Sequence, residues 1–127
     1  MNFAIDIDDT LSAHPVTLTR LIEMIAIDGF SHTVVLLTGG IVENVNDCGF
    51  KINLKQRVEQ VEALMGYTGL LGCDVVSCMG VTVTEVGMLK ARYCKEHNID
   101  VFIDDSQLYC SIVLQGSPKT MVLQVVK

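Results

Sequence analysis

The sequence predicts an α/β fold, a doubly wound and mainly parallel sheet with helices on both faces. Three observations carry this expectation. Short apolar runs, the signature of buried strands, alternate with stretches whose apolar residues recur at helical spacing. Several of those runs end in acids or in Thr-Gly, so polar chemistry collects where strands stop. The 127 residues suit one domain, since a typical domain takes ~100–200. No internal repeat, linker or composition shift divides the chain, so a single domain over residues 1–127 is expected.

The elements follow in order. Phe3-Ala4-Ile5 reads as a buried strand stopping near Asp6. Pro15 suits a first helical turn. Leu18, Leu21, Ile22 and Ile25 follow at helical spacing, with Gly29 as the closing glycine. Thr33-Val34-Val35-Leu36-Leu37 is a second strand, ending at Thr38-Gly39-Gly40. Ile41 to Ile52 is polar and without period, enough for a small flap or hairpin. Asn53 and Gln56 have capping-box spacing. Leu54, Val58, Val61 and Met65 then make a helical stripe ended by Gly66. Asp74-Val75-Val76-Ser77 suggests a third strand, and Val81 to Val86 reads either as strand or as loop. A helix is expected from about Met88 to His97, with Asn98 as its left-handed cap. Ile99 to Ile103 is a fourth strand, ending in Asp104-Asp105. Ser111 to Leu114 and Met121 to Val126 flank Gly116-Ser117-Pro118, which suggests a final strand pair or hairpin. Gly66, Gly69 and Gly72 lack the strand before and helix after that a dinucleotide loop needs, and read as turn glycines.

Composition excludes several classes. Half the residues are hydrophobic and 19% are charged, which rules out a disordered chain. Nine basic residues against fifteen acidic ones leave a net charge of −6, with no general pull toward nucleic acid or anionic membrane. No run reaches the roughly 18 apolar residues of a membrane span. The acidic start, MNFAIDIDDT, has no basic and then apolar leader, so no secretory signal is expected. Five irregularly spaced cysteines (Cys48, Cys73, Cys78, Cys94 and Cys110) point to thiols in a reducing compartment, hence a cytoplasmic protein. His14, His32 and His97 follow no ligand spacing. A mean hydropathy of +0.42 and the apolar C-terminal segments favour a homo-oligomer.

The acids carry the functional signal. In open α/β sheets ligands bind outside the carboxyl ends of the strands. Asp6, Asp8 and Asp9 follow the first strand, Thr38 the second, and Asp104 and Asp105 the fourth. Lys90 is expected near the start of the helix leading into that fourth strand. Five of fifteen acids therefore converge on one edge. So many carboxylates cannot all ionise without compensation, and oxygen-only ligands select Mg²⁺ over zinc or copper. A metal, a lysine and a hydroxyl beside a carboxylate make a phosphoryl site. Asp9 reads as a helix-start residue rather than a ligand. A strand-end Thr, taken alone, reads equally as a hydroxyl bonded to backbone.

This order of motifs resembles the haloacid dehalogenase (HAD) superfamily of phosphohydrolases. Ile5-Asp6-Ile7-Asp8-Asp9-Thr10-Leu11 matches its first motif and Leu36-Leu37-Thr38-Gly39 its second. Lys90 matches the third, and Phe102-Ile103-Asp104-Asp105 the fourth. The resemblance implies a HAD-like Rossmannoid fold and a Mg²⁺-dependent phosphatase. Asp6 would be the nucleophile that forms an aspartyl-phosphate, and Asp8 the general acid and base. Thr38, Gly39 and Lys90 would bind the phosphoryl group. Asp6, the Asp8 carbonyl and Asp104 would hold Mg²⁺, with Asp105 a ligand directly or through water. Asp8 favours phosphate transfer over dehalogenation. Gly40 departs from the pattern, because relatives often carry Arg after Thr-Gly. Lys95 shares the helix of Lys90 but is expected at its far end.

The gaps between motifs leave no room for a cap domain. Such an open site would suit a bulky phosphorylated substrate, a macromolecule included, or a neighbouring subunit acting as lid. Lys51, Lys55 and Arg57 form a basic cluster near the Ile41–Ile52 segment and read as a solvated helix start rather than a substrate clamp. Two rivals remain. A bacterial receiver domain has a similar fold and an acidic metal site, but it places its phosphorylated Asp at the end of the third strand, where Asp74 instead begins one. An inactive binding or regulatory protein on the same fold would tolerate Gly40, but the intact Asp6 and Asp8 argue against it.

Overall fold

In the computed structural model, residues 1–27, 32–66 and 73–127 are described. The first strand, β1 (Asn2–Ile5), pairs in parallel with β2 (Thr33–Ile41) on one side and with β5 (Val101–Asp104) on the other. Beyond β2 lies β4 (Asp74–Gly80), also parallel, and then β3 (Gly49–Ile52), which is antiparallel to β4. Beyond β5 lies β6 (Met121–Gln124), parallel to it. The six-stranded order is β3-β4-β2-β1-β5-β6. Among the described residues four helices cover the sheet: α1 (Pro15–Ile27), α2 (Lys55–Met65), α3 (Val83–Glu96) and α4 (Gln107–Gly116).

Strand alternation divides the core in two. Ile5, Leu36, Val75 and Ile103 pack on one face against Leu18 and Ile22 of α1 and Val61 and Met65 of α2. Ala4, Leu37, Val76 and Phe102 pack on the other against Val86, Ala91 and Cys94 of α3 and Cys110 and Val113 of α4. This is the predicted doubly wound α/β architecture, with a largely parallel mixed sheet. No helix among the described residues is long and apolar enough to cross a membrane.

Several sequence expectations are corrected. Val81 to Val86 is neither strand nor loop but the start of α3. Thr82 Oγ1 accepts from Glu85 N, and the Glu85 carboxylate accepts from Val81 N and Thr82 N. That reciprocal cap satisfies amides that would otherwise be orphaned at the helix start. Ser111 to Leu114 belongs to α4, which opens with Ser106 Oγ accepting from Tyr109 N. The chain then returns as parallel β6, so there is no final hairpin. Asn53 does not cap α2: it has φ 54°, and its side chain bonds Val75 N and Asp74 of β4. Ile41 to Ile52 holds the end of β2, a short 3₁₀ turn at Val45–Asp47 and the edge strand β3. Gly66 does end α2, at φ 84°, and Asn98 is left-handed at φ 51°. Gly29, Gly69 and Gly72 lie outside the described residues. Cys48, Cys78, Cys94 and Cys110 are free thiols.

Strand lengths set the shape of the upper edge. β1 stops at Ile5, level with Leu36, but β2 and β4 continue together to Ile41 and Gly80. The sheet therefore has a step, low at β1 and β5 and high at β2 and β4. From Gly80 the chain turns into α3 and descends. Gly80 stands four residues beyond the level of Asp6, about 13 Å of strand. The seven residues from Val83 to Lys90 bring the helix back about 10 Å. Lys90 is thus in mid-helix, not near its start as expected, and for that reason comes level with the end of β1.

Candidate functional site

The low part of the step is built by β1, β5 and the turn after β1. Asp6 N donates to Ile103 O at 2.9 Å, which holds the chain beside β5 as it leaves the sheet. The turn Ile7–Leu11 closes through Leu11 N to Asp6 O and Ser12 N to Ile7 O, at 3.2 and 2.9 Å. Ile7, Thr10 and Leu11 are buried, so the turn is anchored by its own side chains. Asp9 sits at φ 60°, a left-handed position that Asp tolerates, and its amide donates to Ser12 Oγ at 2.8 Å. The consequence is directional. Asp6 and Thr10 point inward, while Asp8 and Asp9 point out.

Lys90 is completely buried and bridges two acids, with Nζ 3.0 Å from Asp6 Oδ1 and 2.7 Å from Asp104 Oδ2. Its ammonium also lies 4.5 Å from the centre of the Tyr109 ring and 5.8 Å from that of Phe102. Thr10 Oγ1 lies 3.1 Å from both Asp6 Oδ2 and Asp105 Oδ1, and it accepts from Asp105 N at 2.9 Å. Its single proton serves one carboxylate at a time. Asp104 Oδ1 accepts from Ser106 N at 2.9 Å. Asp6, Asp104 and Asp105 each present a carboxylate oxygen, and these oxygens lie within 4.8 Å of one another.

The electrostatics are unbalanced. Burial pushes the Asp6 carboxyl up to about 7; Lys90 pulls it down and Asp104 adds to the rise. Burial likewise raises Asp104 against the pull of Lys90. Burial would lower Lys90, but Asp6 and Asp104 outweigh it and hold the ammonium above its ordinary value. One lysine therefore does not neutralise three neighbouring carboxylates. The donor set is all hard oxygen, and it could hold a divalent cation such as Mg²⁺.

A second layer stands on the high side of the step. Thr38 is fully buried in β2, and Ser77 is its register partner in β4. Neither hydroxyl has a hydrogen-bond partner among the described residues, a costly state for a buried polar group. The next residue, Gly39, lets α3 approach: a Cβ there would stand 2.5 Å from Val86 Cγ1 and 3.8 Å from Lys90 Cε. From α2, Arg57 Nη2 donates to Gly39 O at 2.8 Å, and Nη1 donates to Gln60 Oε1 at 2.8 Å. Nη1 also meets the Asp8 carboxylate at 3.0 and 2.9 Å, and Gln60 Nε2 donates to Asp8 Oδ1 at 3.0 Å.

Of the residues singled out in the sequence, Asp6, Lys90, Asp104, Asp105 and Thr10 meet in one cluster. Gly39 lies beside Lys90 on its high side, and Thr38 precedes it in β2. The Asp8 carboxylate is not in the cluster; it is turned to α2 and held by Arg57 and Gln60. Asp9 faces solvent, 3.5 Å from Lys127. Lys95 is exposed on the far part of α3, as expected. Reading Arg57 as a solvated helix-start residue is corrected, since its side chain is only 23% exposed and bonds three acceptors. Gln60 and Tyr109 carried no signal beyond helical position. For Arg57 and Gln60 the one available signal was their i, i+3 spacing on α2, which puts both on the same face. No protein-family model matches the chain, and no curated protein matches it.

Proposed function

We propose that the protein is a Mg²⁺-dependent phosphatase of the HAD type, acting on a phosphomonoester through an aspartyl-phosphate on Asp6. One observation carries the proposal. Asp6, delivered by the first strand, meets Asp104 and Asp105, delivered by the fifth, around a fully buried lysine. A carboxylate nucleophile, oxygen ligands and a fixed cation are the parts that phosphoryl transfer requires.

The steps follow from the residues. A carboxylate oxygen of Asp6 attacks phosphorus while the bond from phosphorus to the ester oxygen breaks. Asp8 gives the departing oxygen its proton. Water then attacks the aspartyl-phosphate, Asp8 takes a proton from it, and the bond between Asp6 and phosphorus breaks to release phosphate. Lys90 holds the Asp6 carboxylate in place and offsets charge as it spreads over the phosphoryl oxygens. The Thr38 hydroxyl, which has no partner among the described residues, donates to one of those oxygens. Mg²⁺, held by Asp6, Asp104 and Asp105 with the Asp8 carbonyl, would supply positive charge against the ligands and the transferring group. Ile41 to Ile52 adds to the sheet edge rather than forming a folded cap, which supports a site open to a bulky substrate.

The test is phosphate release from an aryl phosphate, with and without Mg²⁺, by wild type and Asp6→Asn. The expected result is turnover by wild type with Mg²⁺ only, and none by the variant. Equal turnover by both proteins would remove Asp6 as nucleophile.

A further inference from the structure

We propose that Arg57 is the substrate clamp of this site, exchanging its bond to Asp8 for the phosphoryl oxygens of the substrate. This rests on the phosphatase reading and names a binding residue for it. The starting point is charge. With a divalent cation bound, three carboxylates and one lysine would make the cluster neutral, so a phosphomonoester dianion would meet no surplus positive charge. Arg57 brings a further cation to this end of the sheet. The guanidinium contacts Asp8, two residues after the proposed nucleophile, and Gly39 O, one residue after Thr38, whose hydroxyl has no partner among the described residues.

The anchoring of Arg57 separates this role from an ordinary surface ion pair. Exposed pairs contribute little, and both partners are free to wander. Here Gly39 O and Gln60 Oε1, both uncharged, fix the guanidinium from two sides at 2.8 Å each. Those two bonds do not involve Asp8, so the group stays in position when Asp8 leaves. Asp8 has reason to leave, because its proposed work is at the ester oxygen. A phosphoryl group presents the same acceptor geometry as a carboxylate, and arginine binds both through two parallel N–H donors. The start of α2 adds to the attraction. Its cap residue Leu54 makes no side-chain bond, and Arg57 sits in its first turn, near the positive end of the helix dipole.

The experiment compares wild type with Arg57→Met, which keeps an apolar stem, and Arg57→Lys, which restores charge without the fork. KM and kcat are measured on an aryl phosphate with Mg²⁺. Binding of inorganic phosphate to the Mg²⁺-loaded protein is measured by calorimetry, and melting curves check folding. Arg57→Met is expected to raise KM and weaken phosphate binding about tenfold or more, with kcat changed less than about threefold and partial recovery in Arg57→Lys. Unchanged KM and phosphate affinity overturn the clamp and leave the phosphatase reading intact. So does a fall in kcat at constant KM, which would make Arg57 a positioning residue for Asp8. A wild type that neither hydrolyses the ester nor binds phosphate overturns the phosphatase reading itself, and the clamp with it.

Discussion

Replacing Lys90 by Met removes the one buried cation of the cluster and preserves most of its volume. The structure sets the size of the effect. Lys90 is fully buried and makes two charge-assisted bonds, at 3.0 and 2.7 Å, to acids that are themselves buried. Removing one partner of such a pair costs about 3–5 kcal/mol, because the remaining charge is stranded. At this chain length that corresponds to a fall in Tm of roughly 10–20 °C. The loss depends on pH. Without the ammonium, Asp6, already pushed up to about 7, rises further and takes up a proton. Near pH 5 the stranded Asp6 is then neutral, and the destabilisation is smaller than near pH 8. Thermal and urea melts of wild type and Lys90→Met in chelator, at both pH values, check this. A variant within about 3 °C of wild type near pH 8, or one losing as much near pH 5, would refute the reasoning.

The pH dependence of the metal-free wild type follows from the same groups. Asp6 has a folded value near 7 against 3.8 unfolded, so the native state binds its proton more tightly and stability falls as pH rises from about 4 to about 7. Lys90, raised in the fold, contributes stability that is complete below 10.5 and so stays constant across that window. Mg²⁺ should therefore raise Tm more near pH 8 than near pH 5, where it competes with a proton on Asp6; an equal rise at both would place the ion elsewhere. Gly39→Ala sets a methyl 2.5 Å from Val86 Cγ1, on a β-branched side chain that is stiff at χ1. The expected cost is about 1–3 kcal/mol in urea midpoint, with lowered turnover because α3 carries Lys90; a cost below about 0.5 kcal/mol means that α3 does not press on Gly39.

The sequence made much of this visible, for identifiable reasons. Parallel strands buried on both faces read as unbroken apolar runs, and Phe3 to Ile5, Thr33 to Leu37 and Val101 to Ile103 stand out accordingly. Acids at the ends of β1 and β5 become neighbours once those strands are adjacent, so Asp6 and Asp104 were legible as a pair. Misreadings came where local signals competed. Val81 to Val86 is rich in β-branched residues, which hid the Thr82 and Glu85 capping pair that starts α3. Ser111 to Leu114 is apolar and partly β-branched and resembled a strand, while Ser106 marked the helix start five residues earlier. The bonds of Arg57 could not be read, because they join α2 to a strand end and to the first turn, and only tertiary packing brings these together.

The stepped edge explains why the site forms there. Burying Asp6 and Asp104 beside each other costs stability, and in a flat-edged sheet both would reach water. Here β2 and β4 rise past β1, and α3 starts from the top of that wall. The wall shields the two acids, but it also brings Lys90 down to their level from mid-helix. The overhang thus supplies both the desolvation that raises the acids and the cation that partly offsets it. The remainder, carboxylates held near a charge they cannot fully neutralise, leaves a cluster that could in principle hold a divalent cation. On this view the length of β2 beyond Thr38 shapes the acidic cluster. Those added residues bring Gly39 under α3, and they carry its carbonyl to the guanidinium of Arg57.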